Sequence, residues 1–166
     1  MSHKTASVTL EGDRSRLLGR TGSGHELILD DTGGDAGPRP SELVPLALAA
    51  CTAMDVIAIL RKKRQDVSRY QVRADATQRE ATPTVFTRID VVLEVEGPDV
   101  DVEAVRRAIE LSATRYCTVG STLSTGVTEI HHAYAVTDGH GDRHRGEVVL
   151  LGPDGKVAVL TPVVTA

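Results

Sequence analysis

Residues 41–64 constrain the fold of this chain more than any other segment. From Leu43 to Leu60 the run is apolar apart from Pro45, Thr52 and Asp55, which predicts a long helix whose middle is apolar on nearly every face. Such a helix is expected at the centre of the fold, enclosed by other elements. With those interruptions the run is too short and too polar to read as a membrane span. Its end, Arg61-Lys62-Lys63-Arg64, sets cations on the last turn, where they favour the helix dipole. That basic run reads as a solvated helix terminus rather than a nucleic-acid patch. Pro45 fits only if the helix effectively begins nearby, where its missing N–H costs nothing.

Strands are expected over residues 5–10, 16–20 and 26–29, with Thr21-Gly22-Ser23-Gly24 as a hairpin turn of the kind glycine permits. Residues 30–40, rich in Asp, Gly and Pro, read as a loop. Two further strands follow over 70–77 and 86–96, the second alternating with Ile89, Val91, Leu93 and Val95 on one face. Val102, Val105, Ile109 and Ser112 then recur at helical spacing. A short helix over 116–124 and a strand over 127–136 complete the order. Strands and helices group rather than strictly alternate, so an α+β fold is expected over a doubly wound sheet. Residues 1–137 are expected to form one domain. Residues 138–166 then read as a C-terminal extension, a polar loop followed by a hairpin with strands at 147–151 and 156–160.

Composition narrows the function classes. A formal net charge of −4 gives no electrostatic reason to expect nucleic acid. With three Tyr, one Phe and no Trp, the chain also lacks rings for a base-stacking platform. The opening residues Met-Ser-His-Lys-Thr-Ala-Ser-Val contain no apolar signal region, so secretion is not expected and the default location is cytoplasmic. Reducing conditions there disfavour a purely structural disulfide and favour reactive or metal-binding thiols.

The two cysteines, Cys51 and Cys117, are therefore the leading candidates for chemistry. At 66 positions apart they cannot form a CxxC clip or a four-ligand zinc site. Inert packing, a structural disulfide and a thiol reaction centre all remain open on local sequence, because free cysteine is among the most buried residue types. Cys117 stands near the opening of a predicted short helix, where backbone N–H groups and the dipole favour a thiolate, and Arg115 adds charge. Cys51 lies mid-helix among Ala47, Ala49, Ala50 and Ala53, small neighbours that leave room for an approaching element or substrate.

Other polar groups offer less. His131 and His132 fall in a predicted strand, so their side chains point to opposite faces and cannot share a metal. His140 and His144, with Asp138 and Asp142, lie in a Gly-rich loop that a solvated turn explains as well as a cation site. No phosphate-binding glycine pattern and no nucleophile-elbow serine is present.

The segment from Gly37 to Val56, containing Cys51-Thr52-Ala53-Met54-Asp55, resembles the OsmC/Ohr family. Residues 59–65 and the segment from Arg107 to Val119, which carries Arg115-Tyr116-Cys117-Thr118, extend the resemblance, which spans about residues 5–136. It implies an OsmC-like fold with antiparallel sheets and long central helices in an intertwined homodimer. It also implies reduction of organic or inorganic hydroperoxides in oxidative-stress defence, without metal or organic cofactor. On that resemblance Cys51 matches the peroxidatic cysteine and Cys117 the resolving one. A dithiol reductant such as a lipoylated protein would restore both.

The chain departs from the family's hydroperoxide reductases at one acid. Where they carry an acidic residue ten positions before the first cysteine, this chain has Ser41, with Glu42 one position later. Glu42 is the candidate acid, although one helical position rotates a side chain by about 100°. Among Arg14, Arg16 and Arg39, none matches the motif of the arginine that holds the thiolate. The Cys-Thr-Ala-Met-Asp-Val wording is closer to a branch other than the well-characterised reductases. A non-catalytic binding protein or a redox sensor with the same fold is the competing reading.

Overall fold

The computed structural model describes residues 3–12 and 14–160, which divide into two units at the Val44/Pro45 junction. In the N-terminal unit, β1 (Ala6–Leu10), β2 (Leu17–Thr21) and β3 (Glu26–Leu29) form an antiparallel meander. The β2–β3 turn closes through Gly24, whose φ of 87° lies in the left-handed region that glycine enters without strain. Asp30 then organises the following loop, accepting hydrogen bonds from the backbone N–H groups of Asp31 at 2.8 Å and Ala36 at 3.1 Å. A single 3-10 turn, Pro40–Glu42, ends the unit.

The second unit contains α1 (Leu43–Lys62), which opens at the junction, and a five-stranded sheet. Its strands are β4 (Arg69–Gln78), β5 (Phe86–Glu96), β6 (Glu129–Thr137), β7 (Arg143–Gly152) and β8 (Lys156–Val159), hydrogen-bonded in chain order. All neighbouring pairs are antiparallel except β5 and β6. That parallel pair requires a crossover connection, and α2 (Val102–Leu111), a π-helical turn (Ser112–Tyr116) and α3 (Thr118–Ser124) supply it. The α+β class expected from the sequence is what the chain adopts.

Alternation along β5 and β6 fixes which face is covered. Ile89, Val91, Leu93 and Val95 are fully buried, as are Ile130, His132 and Val136 on the neighbouring strand. Against them α2 lays Ala104, Val105, Ala108 and Ile109. Asp101 caps this helix by accepting the Glu103 N–H at 2.9 Å, a cap of the kind worth about 1 kcal/mol. Strand β7 begins at Arg143, earlier than the hydropathy pattern places it, because its first residues pair with β6 through to Thr137–Arg143.

Helix α1 corrects one expectation. It is not enclosed on all sides: within the chain it buries one stripe, Leu48, Thr52, Val56 and Leu60, at intervals of four. On another face Leu46 and Met54 are 61% and 72% exposed, in line with exposed Ala50 and Ala58. Uniform hydropathy does not distinguish a face covered by the chain's own sheet from one left for something else. By length and composition alone, residues 40–62 would also suffice to cross a membrane. Pro45 causes no break because it lies in the first turn of the helix.

Candidate functional site

The two cysteines meet. Their sulfurs and a carboxylate oxygen of Asp55 all lie within 4.8 Å of one another. Helix α1 supplies Cys51 and Asp55, four residues apart and hence on one face, one turn above the other. The third group, Cys117, comes from the crossover. Its position is set by a change in helical winding: the π turn widens the chain path after α2, and the Cys117 N–H closes that turn onto the Ser112 carbonyl at 2.8 Å. Cys117 then leaves helical geometry, with φ −70° and ψ 96°, and serves as the N-cap of α3. Its Sγ accepts the Gly120 N–H at 3.3 Å. Insertions of this π type are frequent at functional sites.

Gly120 lies close against this pair. A Cβ there would stand 3.4 Å from both the Cys117 sulfur and Leu48 Cδ1, an ordinary van der Waals contact, so an alanine fits and only a longer side chain would press on the sulfur and on α1. The Thr52 hydroxyl also lies against the Cys117 sulfur, at 3.9 Å.

The two thiols differ in environment. Cys51 is partly exposed and Cys117 is fully buried. Burial pushes the Cys117 thiol up to about 11; the neighbouring Cys51 sulfur adds to the rise, while the Gly120 N–H and the Thr52 hydroxyl oppose it. This corrects the expectation that a helix N-terminus would make Cys117 a ready thiolate. A single N–H contact does not repay desolvation of the anion, and Cys117 is held as a neutral thiol.

Asp55 escaped the sequence reading, which took it as an interruption of the apolar run. The available signal was the Cys-x-x-x-Asp spacing, which on any helix stacks the two side chains. Its Oδ2 accepts the Ser112 hydroxyl at 3.0 Å. Beside it, Tyr70 of β4 donates to the Ala53 carbonyl at 3.1 Å. Burial raises the Tyr70 hydroxyl well above its usual range, and the Asp55 charge raises it further.

The other candidates are placed as follows. Glu42 sits in the 3-10 turn of the N-terminal unit, where it accepts the Arg39 backbone N–H at 2.7 Å and the Arg39 guanidinium at 3.0 Å. The Arg39 bonds lower its carboxyl below the ordinary value. Arg16 pairs with Glu11 at 3.3 Å, and Arg14 donates to the Gly33 carbonyl at 3.0 Å. His131 and His132 do point to opposite faces: His131 pairs with Glu129, while His132 is fully buried. In the 138–144 loop, Asp138 is committed to its own turn, accepting the His140 and Asp142 N–H groups at 2.9 and 3.0 Å and contacting His144 Nε2 at 3.0 Å. Arg115 lies on the π turn and, among the described residues, forms no hydrogen bond to either sulfur.

Comparison with known proteins places this arrangement. Residues 33–131 match the family described as OsmC-like protein. Protein YhfA of Escherichia coli K12 is 42% identical over 120 residues, which is 72% of this chain and 89% of YhfA. The solved OsmC-like protein of Mycoplasma pneumoniae superposes with a TM-score of 0.68 at 17% identity, covering 81% of this chain and 97% of that one. An organic hydroperoxide resistance protein from Elizabethkingia anophelis gives 0.55 at 18% identity, covering 83% and 97%. At such identities the two structures attest the fold alone. With a family match over most of the chain and a relative of this identity, the chain belongs to the OsmC-like family.

Proposed function

We propose that this protein is a thiol-dependent hydroperoxide reductase in which Cys51 attacks and Cys117 resolves. The observation that carries the reading is the paired but unequal sulfurs: one reachable, one buried, within 4.8 Å. The Cys51 thiolate attacks the terminal peroxide oxygen, the O–O bond breaks, and the departing alkoxide takes a proton to leave as alcohol or water. Cys51 becomes a sulfenic acid. The Cys117 sulfur then attacks the Cys51 sulfur, water leaves, and a disulfide forms. Closing to a bond of about 2.0 Å requires movement of under about 3 Å. Asp55 is the carboxylate beside Cys117 that takes its proton in this step and passes it to the departing hydroxide, which leaves as water. Glu42, held by Arg39 as a carboxylate, is the proposed acidic residue of the peroxide step, acting through its charge and not as a proton donor, and Glu42→Gln is expected to slow that step without changing the thiol count. A dithiol reductant, such as a lipoylated protein, regenerates both thiols.

The working unit we propose is a cytoplasmic homodimer. Support comes from the exposed apolar stripe of α1, Leu46 to Ala58, since water-exposed Leu and Met on one long helix face mark an interaction surface. Relatives bearing hydroperoxide resistance in their names share this fold. The deciding experiment treats reduced protein with cumene hydroperoxide and counts free thiols. Loss of two per chain with one internal disulfide by mass spectrometry supports the reading. If Cys51→Ser consumes peroxide as fast as the native protein, Cys51 is not the attacking thiol.

A further inference from the structure

We propose that Cys51, Asp55 and Cys117 also form a three-ligand site for a thiophilic divalent cation of the zinc class, with the fourth coordination position open. Three donor atoms of metal-binding type converge within 4.8 Å, from two elements. A tetrahedral zinc site with metal–sulfur bonds near 2.3 Å and metal–oxygen bonds near 2.1 Å places its donors about 3.5–3.8 Å apart. The cluster therefore closes on a metal with shifts of about 1 Å at most, less than a disulfide needs. Two thiolates select zinc-class ions over magnesium or calcium.

The surroundings match those of a ligand set. The Ser112 hydroxyl donates to Asp55 Oδ2 and leaves Oδ1 available, the usual way a ligating carboxylate is oriented. The Gly120 N–H donates to the Cys117 sulfur, which offsets charge on a metal-bound thiolate. Among the described residues, no Lys or Arg pairs with Asp55, so three groups able to carry negative charge adjoin one another with no side-chain cation paired to the carboxylate. A divalent ion supplies that charge. As the two metal–sulfur bonds form, two thiol protons leave to solvent, so binding strengthens as pH rises. Metal binding and disulfide formation use the same sulfur electron pairs and exclude each other.

The inference rests on the sulfur pair of the reading above, but not on peroxide turnover. Its test is an anaerobic titration of the reduced full chain with Co²⁺, followed by displacement with Zn²⁺. The expected result is saturation at one cobalt per chain, with a near-ultraviolet sulfur-to-cobalt charge-transfer band that Zn²⁺ abolishes. Cys117→Ala should weaken the band, and Asp55→Asn should lower the affinity at least about tenfold, with each variant's fold checked by circular dichroism. Absence of the band, or an affinity in Asp55→Asn within tenfold of native, overturns the three-ligand site. Peroxide consumption measured separately on chelator-treated protein decides the peroxidase reading without touching this one.

Discussion

Asp55 stands on α1 and Cys117 in the β5–β6 crossover, yet a carboxylate oxygen and a sulfur stand within 4.8 Å. Ser112 fixes the carboxylate and Gly120 fixes the sulfur. The pair is therefore held from two directions, and both its anchors lie in the short stretch where the helix widens and restarts.

Thiol labelling should separate the two cysteines. With Cys117 fully buried and its thiol pushed up to about 11, iodoacetamide at pH 8 is expected to modify Cys51 in the folded chain and Cys117 only after denaturation. Peptide mass spectrometry reads the outcome, and equal labelling rates would contradict the asymmetry on which the ordered mechanism rests.

Ser112→Ala removes the hydroxyl that satisfies Asp55 in a half-buried setting. A destabilisation of about 1–2 kcal/mol is expected from chemical denaturation, the usual penalty for leaving such an acceptor unpaired. Ser112→Thr, if it keeps the hydroxyl in place, should recover part of it.

Met54→Glu, at a position 72% exposed in the single chain, should barely alter the fold of one chain but charge the apolar stripe of α1. Sedimentation should then show monomer where the native protein gives dimer. A variant that sediments as the native protein does would place the contact on some other surface.

His132 gives stability an acid limb. Burial holds its imidazole down to about 4, against an ordinary value near 6.5, with the nearby Val149 backbone offsetting this only in part. Between those values the unfolded chain binds a proton that the folded chain refuses. Stability is thus complete above pH 6.5 and falls as pH drops toward 4, by about 3 kcal/mol over the window. Urea midpoints at a series of pH values test this, and His132→Phe should flatten the slope in that range.

Much of this was readable from residue order. The alternation of Ile89, Val91, Leu93 and Val95 placed β5 correctly, and the glycine-bearing turn after Thr21 placed the β2–β3 hairpin. The motifs around Cys51 and Cys117 pointed to the family. Three things were not readable, each for a physical reason. Uniform hydropathy along α1 conceals which side the chain covers, because Leu46 and Leu48 look alike until the sheet is in place. The π turn has no composition of its own, so the short helix was expected at Tyr116 rather than Thr118. Asp55 looked like a blemish in an apolar run because its partner, Ser112, arrives from far along the chain.

The crossover that joins β5 to β6 also makes the thiol pair a property of the native chain. Unfolded, Cys51 and Cys117 are distant, ordinary thiols; folded, they are neighbours. A bond between them would close a loop of 66 positions, which chain-entropy arithmetic values at about 4 kcal/mol of added stability. Oxidation would therefore harden the fold and reduction relax it, so that the resistance of this protein to heat would vary with the electron supply around it.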